Sequence, residues 1–204
     1  MNASEQEPLK DTEPSMEEAM ESLTVIKDAT EQVRKAIAST HTSPLLILWG
    51  FIWVTQFTLS YFYLALVYQI FMYLNVVGIV GTIWICRTGA AKALIKSPAS
   101  QKIGWRIFWF WAMLFVYASV WLNMLAPHSS LQLNAFLCTA VMFAYIIMGL
   151  WFAGYYMVWL GLAITCTTLI GFYLIPHSFY CLWMAPMAGG VMLVTGLYIR
   201  FRWK

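Results

Sequence analysis

Apolar positions in this chain do not alternate with polar ones; they run on. From Leu45 to Cys86 there are 42 residues without a charged side chain, and from Ile107 to Ile199 there are 93. Both runs are too long and too unbroken for barrel strands. Backbone groups in hydrocarbon must be satisfied within the segment, so both read as helix. At ~1.5 Å per residue the first run would be ~63 Å long, about twice the ~30 Å core of a bilayer, more than tilting absorbs. It divides into two spans and a tight turn. The second would be ~140 Å and divides into four. Pro127-His128-Ser129-Ser130 and Pro176-His177-Ser178 mark two of its breaks, because Pro stops a helix and Ser favours turns. Gly149 and Gly154 put the third near Phe152–Tyr156. The expected fold is all-α, a six-transmembrane-helix bundle with spans at about 45–64, 67–86, 106–125, 132–151, 156–175 and 183–200.

The pattern upstream is different. Residues 1–43 form a cytosolic acidic tail, distinct from the membrane domain 44–204, and its first 14 residues are polar and expected to be disordered. Ser15-Met16-Glu17-Glu18 reads as a capping box opening a helix over about 15–38. Within it Met16, Ala19, Leu23, Ile26, Thr30, Val33 and Ile37 recur at alternating spacings of three and four, the seam of a coiled coil. Glu31 and Lys35 add an i,i+4 pair in the favourable order. Met16, Leu23, Ile26, Val33 and Ile37 are therefore the expected partner-binding residues, for a homodimer or for a cytosolic protein. Tethering to a membrane raises the local concentration and helps so short a seam to pair. The alternative is an amphipathic helix lying on the bundle or on headgroups, which its acidic first half makes unattractive beside a negative leaflet.

Charge decides the orientation. All nine carboxylates lie at or before Glu31, giving residues 1–31 a net charge of −7 against +10 for the remainder. Arg87, Lys92, Lys96, Lys102 and Arg106 crowd the loop after the second span, and Arg200, Arg202 and Lys204 follow the sixth. Four spans separate the clusters, so they share a side, and the opposite connections carry no charge. The positive-inside rule then puts both termini in the cytoplasm of a cell (inner or plasma) membrane protein. No secretory signal is visible, and the first span reads as an uncleaved anchor. Trp49, Trp105, Trp151, Trp183 and Trp203 fall near span ends, as interfacial rings do, whereas Trp111 and Trp159 read as packing.

Leu125-Ala126-Pro127-His128-Ser129 returns as Leu174-Ile175-Pro176-His177-Ser178, with Gly149-Leu150-Trp151 and Gly196-Leu197-Tyr198 closing the spans that follow. The simplest description is three helical hairpins of one ancestry, the first diverged. A cytosolic amphipathic helix followed by Leu45-Leu46-Ile47-Leu48-Trp49-Gly50-Phe51-Ile52-Trp53 resembles small bacterial multi-span membrane proteins of uncharacterised function, some encoded beside transcription regulators. The resemblance covers about residues 15–60 and implies no activity, cofactor or site residue.

The chemistry left is sparse. A carboxylate-free body has no proton relay of the usual kind and no carboxylate site for Mg²⁺ or Ca²⁺. HExxH, GxSxG and phosphate-loop motifs are absent, as is any zinc spacing among Cys86, Cys138, Cys166 and Cys181. Cys138 and Cys181 lie near enough to the outer side to meet, but buried free thiols are the plainer reading. The expectation is a protein that is not an enzyme, with no cofactor, no metal and no nucleic-acid partner. His128 and His177, at the outer ends of spans three and five, are candidates to ligate a haem or to sense external pH, against the reading that each merely hydrogen-bonds in a wet turn. His41, in the linker, is remote from both. Gln56, Gln69, Asn75, Ser119, Asn123, Thr165, Thr167 and Thr168 either line a pocket for a neutral ligand or bond across helices as glue. Gly78, Thr82, Gly161, Gly189 and Gly190 mark close helix contacts. Three functions follow: an anchor or sensor presenting its N-terminal helix, a carrier or binding protein for an uncharged apolar or aromatic small molecule, and a bis-His redox protein.

Overall fold

The computed structural model describes residues 16–37, 42–92, 98–126 and 129–203. The helices are α1 (Met16–Ile37), α2 (Ser43–Phe62), α3 (Val67–Lys92), α4 (Pro98–Leu125), α5 (Ser130–Trp151), α6 (Tyr155–Leu174), α7 (Tyr180–Met184) and α8 (Val191–Arg202). No strand occurs among the described residues. Six helical segments are long and apolar enough to cross a bilayer: α2 to α6, and a sixth, His177–Arg202, that combines a 3₁₀ turn, α7, a π-helical turn and α8. The protein is thus a multi-pass, all-helical membrane protein.

Local chemistry explains most boundaries. Pro44 starts α2 with its φ already set for a helix, and Pro98 opens α4 where its missing N–H would be unsatisfied anyway. The Ser129 hydroxyl accepts the Gln132 N–H at 3.1 Å and caps α5. The break between α5 and α6 falls at Phe152–Gly154, inside the expected region, and closes with Gly154 N–H donating to Gly149 C=O at 2.8 Å. Ala126 and Ala153 take positive φ (41° and 50°) just past α4 and α5, where glycine is the usual residue.

Span six departs furthest from its expected bounds. Helical backbone begins at His177 rather than near 183 and passes Pro186 through the π turn Ala185–Gly190. Pro186 has no N–H to offer the carbonyl four residues back, and a π turn lets the chain continue past it.

The spans pack in the order two–one–six–five–four–three. Spans one and six form the first tight seam. Ser43 Oγ donates to the Gly196 carbonyl at 2.8 Å, and a Cβ added to Gly50 would fall 2.5 Å from the Leu193 nitrogen. One added to Gly189 would fall 2.5 Å from the Val54 nitrogen. Ile47 meets Gly196 while Val54 meets Gly189, so the two spans run antiparallel, as six crossings require. Spans four and five form the second tight seam, around Gly149 and Gly161. Leu46, Phe57, Met142, Ile164, Tyr180, Met184 and Met192 fill the core between them. Spans two and three bury only 6% of their residues, against 28–39% for the other four, and flank this core as wings.

Candidate functional site

Helix α1 is the element with chemistry to offer the aqueous phase. It begins at Met16 with Glu17 and Glu18 in its first turn, where carboxylates suit the helix dipole. Ser15, the expected cap, lies outside the described residues. Glu31 and Lys35 pair at 2.7 Å as expected, both exposed. Thr24 and Thr30 donate back to the Met20 and Ile26 carbonyls and add nothing to the seam but methyl groups. Met16 is 81% exposed, Leu23 66% and Ile26 61%, with Met20 beside them, and among the described residues no membrane span packs closely along α1. Val33 and Ile37 belong to the same helix, but their side chains lie outside the described set.

Hydrogen bonds from Trp49, Asn75 and Trp183 cross from one helix to another. Gln56 is buried, and its Oε1 accepts from Asn75 Nδ2 at 3.3 Å across spans one and two. The same Asn75 amide donates to Phe71 C=O at 2.7 Å. Trp49 Nε1 donates to Thr82 Oγ1 at 3.0 Å, and Trp183 Nε1 to Thr167 C=O at 3.0 Å. Thr167, Thr168, Ser119 and Asn123 each donate to a carbonyl of their own helix. Gln69, Ser119 and Asn123 lie on exposed faces of the wings, and Thr165 is half-buried. Of the eight side chains, Gln56 and Asn75 bond to each other across helices, while Thr167, Thr168, Ser119 and Asn123 bond within their own.

A polar group that sequence reasoning passed over sits at the end of the core opposite the basic side chains. Tyr180, buried, donates its hydroxyl to Asn134 Oδ1 at 3.2 Å, and Cys138 Sγ approaches the same oxygen at 3.7 Å. Asn134 and Cys138 are four apart on α5, one helical turn, and that spacing was the available signal. Ser60, also passed over, is buried with an unpartnered hydroxyl. All four cysteines are free thiols; of the pair expected as buried thiols Cys138 is buried and Cys181 half-buried, while Cys86 and Cys166 are exposed.

His177 is exposed in the 3₁₀ turn His177–Phe179. His128 and His41 lie outside the described residues. Trp105 and Trp151 are exposed near span ends, and Trp203 lies edge-on to Tyr156 at 5.2 Å. Trp49 and Trp183 turn inward instead. Trp111 packs against Tyr145 as expected, while Trp159, expected to pack, is 72% exposed. Between α4 and α5 runs an open groove of about 250 Å³, lined by Leu114, Tyr117, Ala118, Trp121, Phe136 and Ala140.

Set against known protein families, curated proteins and solved structures, the chain matches none of them.

Proposed function

We propose that this is a non-enzymatic membrane anchor or sensor, with both termini in the cytoplasm of a cell membrane, that presents α1 for self-association or to a cytosolic protein partner. The observation that carries this reading is the unpacked seam of α1: Met16, Leu23 and Ile26 are exposed on a helix that the bundle leaves bare. Exposed apolar residues at a regular spacing on an aqueous helix cost solubility unless something covers them. The three-hairpin ancestry belongs to the same proposal; spans one and two, three and four, and five and six each touch, which suits it. Co-purification of the whole protein and of a form lacking residues 1–40 tests the reading. Loss of a dimer or of a specific partner on truncation is expected, and retention of both would reject it.

A second reading, binding of an uncharged apolar or aromatic small molecule from the bilayer, is favoured by the α4–α5 groove alone. Its walls are apolar and aromatic, and Ala118 and Ala140 leave the space. Ala118→Phe fills that groove and should abolish any thermal shift produced by neutral aromatic ligands.

A further inference from the structure

We infer that the charged end of the bundle is a rim of Arg, Lys and Trp side chains that binds the phosphates of anionic phospholipids. The contacts between spans bring three separate stretches of sequence to one end. Ser43, at the start of span one, bonds to Gly196 near the end of span six, while Leu48 and Trp49 meet Gly81 and Thr82 in the last third of span two. Trp203 rests on Tyr156, at the start of span five. The start of α4 follows the end of α3 after only residues 93–97, which fixes it at the same end.

Arg87, Lys102, Arg106, Arg200 and Arg202 are exposed there, on three helices. No acidic side chain follows Glu31 anywhere in the sequence, and the ion pair Glu31–Lys35 lies within α1. The rim therefore has no counterion of its own in the membrane domain. Four of the five cations are arginine, whose planar fork meets a phosphate through two parallel hydrogen bonds.

The arginines are also not alone. Trp84 stands three residues before Arg87, Trp105 precedes Arg106, and Trp203 follows Arg202. Trp84 and Trp105 are largely exposed. Each indole lies within one helical turn of a guanidinium in depth, which matches the layering of a leaflet surface, and this sequence pattern recurs near the basic ends of α3, α4 and α8. Attraction to anionic lipid decays within a Debye length of ~10 Å, so only groups held at the surface, as these are, contribute. The acidic α1 is repelled by the same leaflet, which keeps its seam clear of lipid. The inference goes beyond the α1 reading and fails separately from it, because truncation of residues 1–40 tests one and lipid composition tests the other.

The test uses the full-length protein in nanodiscs of phosphatidylcholine alone and with ~30% phosphatidylglycerol. A melting temperature about 5 °C higher in the anionic discs is expected, shrinking at ~1 M salt. The difference should vanish in the variant carrying R87Q, K102Q, R106Q, R200Q and R202Q. Because five changes can disturb insertion, R200Q with R202Q alone is followed by mass spectrometry of co-purified lipid, where about a threefold drop in retained anionic lipid is expected. Equal melting in both discs, or a shift that survives neutralisation, overturns the inference. So does a full shift produced in phosphatidylcholine discs by millimolar inorganic phosphate, which would mean a free-anion site. A lipid effect seen only after deleting residues 1–40 also overturns it, since the acidic segment would then be the occupant.

Discussion

At the residue scale, stability rests on where a side chain is missing. Gly50 and Gly189 each bring one backbone against another, and a Cβ at either would meet a backbone nitrogen at 2.5 Å, a contact no rotamer relieves. Gly50→Ala or Gly189→Ala should therefore cost at least ~2 kcal/mol, read as a lower melting temperature in detergent. Gly190→Ala is the control: its nearest neighbour would be 3.8 Å away, so it should be neutral or stabilise by up to ~1 kcal/mol through helix propensity. Sequence alone ranks Gly189 and Gly190 together, because adjacent glycines look alike until a partner helix picks one. The signal that separates them is the seven-residue interval from Gly189 to Gly196, two turns on one face, repeated from Ser43 to Gly50 on the opposing helix. The same scale yields a gain. Ala153 holds φ at 50° where glycine pays no Cβ penalty, so Ala153→Gly should raise stability by about 0.5–1 kcal/mol, while the same change in the middle of α5 should lower it.

At the element scale, five of the six spans were legible because hydrocarbon imposes length. An uncharged helix must be about 20 residues long to cross, whatever its packing. The sixth was begun too late, near 183, because Pro176-His177-Ser178 was read as the start of a longer turn, whereas helical backbone resumes at His177 and passes Pro186 by widening to a π turn. The direction in which a tryptophan points was not legible either. Trp159 and Trp183 are both aromatic residues in apolar runs, and only the neighbours separate them: Gly171 makes room for Trp183, and nothing covers Trp159. Helix α1 was the easiest element to read, since its seam and its Glu31–Lys35 pair are local. Its seam also gives a clean separation of roles. Leu23→Ser with Ile26→Ser changes exposed residues of a helix unpacked from the bundle. The double variant should leave the thermal melt of the membrane domain within about 0.5 kcal/mol of the parent, and abolish dimerisation or partner retention. A melt that falls with it would mean that α1 docks on the bundle after all.

At the scale of the whole molecule, packing and charge divide the protein along perpendicular directions. Across the membrane plane, spans one, four, five and six carry the core, and spans two and three lie outside it with apolar faces turned to lipid. Along the membrane normal, the described cations of the body, Arg87, Lys102, Arg106, Arg200 and Arg202, lie at the end where α2 begins and α8 finishes, and the other end holds the uncharged ends of α2, α4 and α6. Helix packing alone cannot say which end faces the cytoplasm, because the bundle packs equally well either way up. Charge carries the proposed orientation: inserting the basic end outward would take eight Lys and Arg side chains through the bilayer, whereas the reverse takes none. Single-cysteine variants on a background with the four native thiols replaced read the answer. Ser129→Cys and Ser178→Cys, both exposed at the uncharged end, should react in intact cells with a maleimide that cannot cross the membrane. Gly104→Cys, exposed beside Lys102 and Arg106 and with open space around it, should react only after the cells are broken. Labelling of Ser129→Cys and Ser178→Cys from opposite sides would break the six-span count itself, and labelling of Gly104→Cys in intact cells would invert the molecule and turn α1 away from any cytosolic partner.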